Sequence, residues 1–202
     1  MKTVVYLIRH SKPLKVVNKL NDDSLQLNNE KEILSLEGEC IAKNKFDNDE
    51  FNNVNILFSS NYVRTIRTAK YLAEKNKLNI NIMCDLDERN FGIDYWNDKL
   101  ENFEEKQFYD ENYKISNGEC QKEVKDRMYN ALMSILNKYN GKRIAIVTHS
   151  TATAFLLKKW CEIDHNGYRF KNRLFFDGKW EYCQTFKLTF ENQKLTNIKV
   201  ID

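Results

Sequence analysis

The chain of 202 residues has the length of one well-packed domain, and its 42% hydrophobic and 30% charged residues predict a globular protein. We therefore expect a single domain over residues 1–202. The 32 Lys and Arg residues against 29 Asp and Glu leave a net charge of only +3, which argues against nucleic acid as a partner. The apolar run at residues 4–8 is too short for a signal peptide or a membrane span, so we expect a cytoplasmic protein without a membrane partner.

Cysteine and glycine spacing argues against several classes of ligand. The five cysteines form no C-x-x-C pair, which predicts reduced thiols and no zinc site. The six glycines form neither G-x-G-x-x-G nor G-x-x-x-x-G-K, the backbone cradles for dinucleotides and nucleoside triphosphates. We therefore expect no metal and no cofactor, and any phosphate group would have to be held by side chains.

Hydrophobic patterning predicts an alternation of strands and helices. Short apolar runs predict buried strands at residues 3–8, 54–58, 80–83 and 143–148. Helical periodicity predicts helices at residues 33–45, 62–75, 124–139 and 151–160. Near the C-terminus, hairpin-connected strands are expected at residues 173–176, 182–190 and 195–201. The fold predicted from this order is α/β, a three-layer α/β/α sandwich with a mostly parallel central sheet and antiparallel C-terminal edge strands.

Charged and imidazole side chains follow successive predicted strands. Ligands of an open α/β sheet bind beyond the carboxyl ends of its strands. The first strand ends in Arg9 and His10, the helix after the second strand carries Arg64, Glu88 follows the third, and His149 follows the fourth. These side chains are therefore expected to meet at one edge of the sheet.

The chemistry of these residue types suits a phosphoryl group. Arg9 and Arg64 offer two planar forks that can clamp phosphoryl oxygens, and Asn61 is expected to cap the helix that carries Arg64. Neutral His10 is the best candidate for an in-line nucleophile, and Glu88 is a carboxyl that could protonate a leaving oxygen. Each residue taken singly also has a purely structural interpretation, such as a weak surface pair between Glu88 and Arg89.

Other nucleophiles and metal sites are less well supported. The chain has no G-x-S-x-G elbow for an acyl-transfer serine and no H-E-x-x-H pair for a metal. A tyrosine-phosphatase loop needs five residues between its Cys and Arg, whereas Cys84 and Arg89 enclose four, three of them acidic. His165 is interpreted as a turn residue.

Five segments in chain order resemble the motifs of the histidine phosphatase superfamily, also called the phosphoglycerate-mutase-like fold. They are LIRHS at 7–11, LSLEG at 34–38, SSNYVR at 59–64, LDERNFG at 86–92 and VTHS at 147–150. Together they are specific, although each alone is weak. The resemblance extends over residues 3–160, about four-fifths of the chain.

The resemblance implies roles for the matching positions. His10 would become phosphorylated, His149 would be the second catalytic histidine, and Glu88 would be the proton donor. Arg9, Arg64 and His149 would hold the phosphoryl oxygens, together with two serines. These are Ser11 and Ser150, which stand where the family usually has glycine.

The function implied by the resemblance is a metal-independent phosphomonoesterase with a phosphohistidine intermediate. Its partner would be a small-molecule phosphomonoester, and the protein would be a monomer or homodimer. Mutases of the family have an asparagine where this chain has Val16, which favours a phosphatase. A phosphoglycerate-type mutase and a non-catalytic phospholigand-binding module remain the alternatives.

The segment at 93–118 is a candidate for substrate selection. Its aromatic residues are Tyr95, Trp96, Phe103, Phe108, Tyr109 and Tyr113. Seven acidic residues (94, 98, 101, 104, 105, 110, 111) and three basic ones (99, 106, 114) give it a charge of −4. One hypothesis is a preference for monophosphates with aromatic or uncharged leaving groups; the alternative is that the aromatic residues belong to the core and the charges are solvated.

Two further features have mainly structural interpretations. Arg169, Lys171 and Arg173 alternate along a predicted edge strand, where they either contact a substrate anion or protect an exposed edge. Ser116 and Glu119 match the S-x-x-E capping box of the helix that follows, although the same segment also resembles a family G-E-S segment near the site.

Overall fold

A computed structural model describes residues 1–15, 25–95 and 98–202 of the chain. Val16 and Trp96 lie outside these residues. The strands run at β1 (Lys2–Arg9), β2 (Ile56–Ser59), β3 (Ile80–Ile82), β4 (Arg143–Thr148), β5 (Glu162–Asp164), β6 (Gly167–Phe170), β7 (Arg173–Phe176), β8 (Thr185–Glu191) and β9 (Lys194–Ile201). The helices run at α1 (Leu25–Lys31), α2 (Leu36–Asp47), α3 (Val63–Asn76), α4 (Phe103–Tyr109), α5 (Gln121–Lys138) and α6 (Ser150–Leu157).

The central sheet has the strand order β3-β2-β4-β1-β8-β9. Strands β1 to β4 run parallel, β8 pairs antiparallel with β1, and β9 pairs antiparallel with β8. The predicted mostly parallel sheet with antiparallel C-terminal edge strands is therefore confirmed. Because β2, β4 and β1 are neighbours, the residues that follow them emerge side by side.

Both faces of the sheet are covered by helices. In β1 the side chains of Tyr6 and Ile8 pack with α2 and α3, whereas Val5 and Leu7 pack with α5 and α6. All of these β1 side chains are at most 1% exposed. Burial on both faces explains why the strand is apolar throughout instead of alternating. None of the helices in the described ranges is long and apolar enough to cross a membrane.

Two short helices were not predicted from the sequence, because each buries too few residues to show the hydrophobic period of a helix. Helix α1 buries Leu25, and α4 buries Phe103 and Gln107. Leu25 of α1 and Phe103 of α4 form a small apolar cluster of their own with Phe91.

Two predicted helix caps are wrong. Helix α3 begins after Tyr62, which makes no side-chain cap, so Asn61 does not cap it. Helix α5 begins after Cys120, whose N–H donates to Glu123 at 2.8 Å. Ser116 therefore lies outside the helix, and Glu119 instead accepts hydrogen bonds from Arg127 at 2.6 and 2.8 Å.

The predicted strand at 173–176 belongs to a second sheet and not to the central one. Strands β5, β6 and β7 form a three-stranded antiparallel sheet. Arg169 lies on its middle strand and pairs with Asp164, while Lys171 lies in the β6–β7 turn with φ +51°. The expected alternation of these cations with Arg173 along one edge strand is therefore wrong.

The second sheet is fixed to the central sheet by aromatic packing. Phe186 of β8 contacts the rings of Tyr168, Phe176 and Trp180 at centroid distances of 6.5, 5.1 and 5.3 Å. The rings of Phe176 and Trp180 meet Phe186 edge to face and the ring of Tyr168 is stacked on it, and such contacts add to the stabilisation from apolar burial. They place Tyr168 and Trp180 beside the N-terminus of α6.

The loop after β1 is tied to the start of α2. The Ser35 hydroxyl accepts from the Gly38 N–H at 3.0 Å, and the Ser35 N–H donates to the Lys12 carbonyl at 3.0 Å. The Ser11 hydroxyl donates to the Gly38 carbonyl at 2.6 Å. A Cβ added at Gly38 would lie 2.0 Å from the Lys12 carbonyl oxygen, so only glycine fits this approach.

Gly38→Ala should therefore destabilise the protein by about 1–3 kcal/mol, because the Lys12 backbone must move away. Urea denaturation measures the change. Lys43→Ala, an exposed position on the same helix, is the matched control and should have an effect within about 0.5 kcal/mol. Equal stability of Gly38→Ala and Lys43→Ala would contradict the close approach.

Candidate active site

The residues predicted from the strand ends meet around one arginine. The Arg64 Nε–H donates to His10 Nε2 at 3.1 Å, and its Nη2 donates to His149 Nδ1 at 3.2 Å. The two imidazole rings lie edge to face with centroids 5.2 Å apart. All three side chains are buried, at 4% exposure for Arg64, 7% for His10 and 0% for His149.

The hydrogen bonds of the histidines determine which ring nitrogen carries the proton. His10 Nδ1 lies 2.7 Å from its neighbour's carbonyl, that of Ser11, and must donate to it, so Nε2 holds the lone pair. The Nδ1 of His149 accepts from Arg64, so its Nε2–H faces the Ser60 hydroxyl at 2.9 Å. Both assignments follow from their partners.

Both histidines are neutral near pH 7. Burial, with the Arg64 guanidinium second, lowers the pKa of His10 and of His149 well below the usual value of 6.5. Burial also lowers the pKa of Arg64, which Glu32 and Glu88 oppose, and a guanidinium stays charged. The site is therefore one buried cation between two neutral imidazoles.

Arg64 is held on its third side by helix α1. Its Nη1 donates to the Asn29 carbonyl and lies 3.7 Å from a carboxylate oxygen of Glu32. The guanidinium also lies over the Tyr62 ring at 4.8 Å, and this ring packs against His149 at 4.6 Å. Each nitrogen of the guanidinium thus has a partner, so its orientation is fixed.

Glu88 lies at the N-terminus of α6. Its Oε1 accepts from the N–H groups of Arg89 and Ala152, each at 3.0 Å, and its Oε2 accepts from Thr151 at 3.4 Å. A carboxylate at this position satisfies N–H groups that have no partner within the helix. Glu88 follows the single 3-10 turn Cys84–Leu86 after β3 and so reaches the same edge of the sheet as His149.

Arg9 is oriented by the loop before β8. Its Nη1 donates to the carbonyls of Trp180 and Glu181 at 3.1 and 3.2 Å, and its guanidinium lies 5.0 Å from the Tyr182 ring centroid. Burial lowers its pKa, and its Nε is buried without a hydrogen-bond partner among the described residues. Arg9 reaches the edge of the candidate site, but its Nη1 already donates hydrogen bonds to backbone carbonyls.

The two serines in glycine positions differ. Ser11 is fully buried and its hydroxyl donates to the Gly38 carbonyl, away from the histidines, so its predicted donation to phosphate is not what this geometry shows. Ser150 begins α6 and lines a cavity beside Glu88. The extra bulk at position 11 is accommodated because α2 supplies an acceptor for the hydroxyl.

Sequence reasoning missed three site residues. Ser60 bonds His149, Tyr62 supports both Arg64 and His149, and Arg89 is 5% exposed, contrary to its interpretation as half of a surface pair. Ser60 and Tyr62 fall within the SSNYVR segment, so this motif could have identified them as site residues. Nothing in the sequence marks Arg89 as buried.

The aromatic residues of the segment at 93–118 differ in burial. Phe103 is fully buried, which matches the core interpretation, whereas Phe108 is partly buried and lines the cavity beside Ser150. Tyr95 and Tyr109 are 56% and 69% exposed.

Cys84 and His165 both lie on the surface of the protein, outside the candidate active site. Cys84 is exposed, and His165 is exposed in the β5–β6 turn. Within residues 1–15, 25–95 and 98–202 no three His, Cys, Asp or Glu side chains are grouped as metal ligands.

The family model of the histidine phosphatase superfamily (branch 1) matches residues 5–196. The chain belongs to this superfamily. A search of curated protein sequences finds no significant match.

Solved structures of this superfamily fold resemble the chain over almost its whole length. Mycobacterial glucosyl-3-phosphoglycerate phosphatase is 14% identical with a TM-score of 0.72, covering 99% of this chain and 97% of that chain. Bacillus stearothermophilus YhfR is 18% identical with a TM-score of 0.69, covering 96% and 94%. A phosphoserine phosphatase mutant from Entamoeba histolytica, in complex with phosphoserine, is 15% identical with a TM-score of 0.65, covering 98% and 96%. At these identities the likeness shows the fold.

The lowered histidine pKa values make the stability of this superfamily member depend on pH. Near pH 6.5 the unfolded chain takes up protons at His10 and His149 while the folded chain does not, so the free energy of unfolding falls as the pH is lowered. The slope approaches about 1.4 kcal/mol per pH unit for each histidine. As the pH falls toward 6 and below, Asp87 opposes part of the fall, because burial raises its pKa to about 6 and the folded carboxyl then binds a proton.

Urea denaturation between about pH 7 and pH 6 measures this slope. His10→Gln should reduce it by about half, because one of the two titrating imidazoles is removed. His165→Ala removes an exposed imidazole and should leave it unchanged. The same slope in the wild type and in His10→Gln would show that His10 is not held neutral by the fold.

Proposed function

We propose that the chain is a metal-independent phosphomonoesterase that acts through a phosphohistidine intermediate on a small phosphorylated metabolite. The observation that supports this most directly is the contact of Arg64 with both histidines. This contact places the fixed Arg64 cation beside the neutral imidazole of His10. The Nε2 lone pair of that imidazole points toward the cation. A phosphoryl anion attracted by the cation would therefore be brought to the nucleophile.

In the first proposed step, the lone pair of His10 Nε2 attacks phosphorus in line. The phosphoryl oxygens take over the Arg64 Nε–H that now donates to Nε2, which frees the lone pair for the new N–P bond. The P–O bond to the leaving group breaks, and Glu88 transfers its proton to the departing oxygen. Arg9, Arg64 and His149 hold the remaining oxygens and stabilise the developing charge.

His149 contributes as a donor once Nδ1 carries a proton. A phosphoryl dianion beside the ring favours the imidazolium form and offsets the effects that now lower the pKa of His149, namely burial and Arg64. Ser60 keeps the ring in place from the Nε2 side. Ser150, at the first residue of α6, is proposed to contact the phosphoryl group from the helix N-terminus.

In the second proposed step, water hydrolyses the phosphohistidine. Glu88, now deprotonated, takes a proton from the water as its oxygen forms a bond to phosphorus. The N–P bond breaks, its electron pair returns to His10 Nε2, and inorganic phosphate leaves. Glu88 ends protonated, as it began, so the cycle closes without a further reactant.

The class of substrate is proposed from the solved structures that the chain resembles. Two of the similar solved structures are those of a glucosyl-3-phosphoglycerate phosphatase and a phosphoserine phosphatase. For the present chain we propose only the general class of substrate that they suggest, a small phosphorylated metabolite. A phosphoglycerate-type mutase would use the same phosphohistidine but would require a bisphosphate primer, and a binding module would bind phosphate without turnover.

Release of nitrophenol from p-nitrophenyl phosphate in the presence of chelator tests the enzyme proposal. The wild type should hydrolyse the ester, and His10→Ala should lose at least about 1,000-fold in kcat/KM, because no other nucleophile replaces the imidazole. His165→Ala is the matched control and should keep wild-type activity. Activity only after addition of magnesium would contradict metal independence, and activity only with a bisphosphate primer would favour the mutase.

The role of Glu88 is tested by changing the leaving group. Glu88→Gln keeps the shape of the side chain but has no proton to transfer, so hydrolysis of phenyl phosphate should fall about 100- to 10,000-fold. Hydrolysis of p-nitrophenyl phosphate should fall much less, because nitrophenolate leaves without full protonation. Comparing kcat/KM for the two esters measures this difference; equal losses would assign proton transfer to another group.

A further inference from the structure

One carboxylate lies beside the buried cation of the candidate active site. Glu32 follows α1 directly, and its Oε2 lies 3.7 Å from Arg64 Nη1. The side chain of Glu32 is 24% exposed, whereas that of Arg64 is only 5% exposed. The ion pair therefore joins the cation that is proposed to bind phosphate to a carboxylate that still contacts water.

Glu32 differs from Glu88, the proposed proton donor, in what satisfies its charge. The Glu88 carboxylate accepts hydrogen bonds from the backbone N–H groups of Arg89 and Ala152, each at 3.0 Å. Within the described ranges, the ion-pair partner of Glu32 is Arg64. Burial lowers the pKa of Arg64, and Glu32 offsets this more than Glu88 does. Glu32 is thus the main counter-ion of the Arg64 guanidinium.

A phosphoryl anion at the candidate active site would need the same positive charge. A guanidinium has several N–H donors but carries one charge, so a phosphoryl dianion and a carboxylate cannot both be neutralised by it. Two anions on one buried cation repel each other, and water and salt screen that repulsion weakly in a buried site. The Glu32 carboxylate therefore competes with phosphate for Arg64.

Displacement of Glu32 requires only rotation of its side chain. The backbone next to it is fixed, because the Ile33 carbonyl accepts from the Leu14 N–H at 2.8 Å. Since part of the Glu32 side chain is already exposed, the carboxylate can become fully hydrated once it leaves Arg64. A hydrated carboxylate carries no desolvation cost, so the exchange with phosphate is reversible at low cost.

We propose that Glu32 determines how tightly the candidate active site binds a phosphoryl anion. Its carboxylate is the counter-ion of Arg64 in the free protein and moves into water when phosphate binds. After hydrolysis, the return of Glu32 to Arg64 favours release of inorganic phosphate. The inference rests on the proposed phosphomonoesterase function, because that proposal assigns Arg64 to the phosphoryl group, and it adds a residue that regulates affinity at the same site.

Calorimetric titration with inorganic phosphate tests the proposal. Glu32→Gln keeps the shape of the side chain and removes its charge, so the dissociation constant should fall about tenfold. Glu74→Gln removes the same charge from an exposed position on α3 and should keep the wild-type constant. Glu32→Asp keeps the charge and should remain closer to the wild type than to Glu32→Gln. A gain in affinity is not the result expected from damage to the fold.

Product inhibition provides a second measurement in the active enzyme. The inhibition constant of inorganic phosphate during hydrolysis of p-nitrophenyl phosphate should fall about tenfold in Glu32→Gln, because the competing carboxylate is gone. It should not change in Glu74→Gln. An unchanged inhibition constant in an active Glu32→Gln enzyme would overturn the proposal.

The titration separates this inference from the proposed function because binding needs no turnover. Tighter binding in Glu32→Gln alone would support the role of Glu32 even in a protein that hydrolyses no ester. Equal or weaker binding in Glu32→Gln, no binding in either protein, or an equal gain in Glu74→Gln would overturn it. The phosphatase proposal is decided separately, by hydrolysis in the wild type and its loss in His10→Ala.

Discussion

The burial of Arg64 between His10 and His149 is the constraint on which the rest of the site depends. A cation in a dry interior is costly unless it is hydrogen-bonded, and each nitrogen of Arg64 has a partner in two imidazoles and the Asn29 carbonyl. The same arrangement lowers the pKa of both histidines, because their charged forms would face both burial and a like charge. The neutral state of the two histidines and the fixed position of the Arg64 cation thus have the same physical cause.

The sheet topology makes this arrangement possible. Strands β2, β4 and β1 are neighbours, so Ser60, His149 and His10 emerge together although they are 50 to 139 positions apart. The backbone groups at the strand ends form hydrogen bonds between neighbouring strands. The His10 N–H donates to the Thr148 carbonyl, and the Ser60 N–H donates to the Val147 carbonyl. The catalytic geometry proposed here is therefore a consequence of strand order more than of any local conformation.

The N-terminus of α6 connects the candidate active site to the cavity beside it. Its free N–H groups anchor Glu88, and its first residue, Ser150, lines the cavity. Arg89 follows Glu88 and is stacked on Phe91, so one short segment carries both a proposed proton donor and a buried cation.

The sequence by itself determined the order of strands and helices from hydrophobic periodicity, and the residues His10, Arg64, Glu88 and His149 from their places after successive strands. Local patterns carry such information because periodicity and strand ends are properties of short segments. Helices α1 and α4, the second sheet and the caps of α3 and α5 were decided only by the tertiary structure, since each depends on few buried residues or on distant partners. The same holds for the Ser11 hydroxyl bonded to Gly38, and for the burial of Arg89, because contacts across the fold set both.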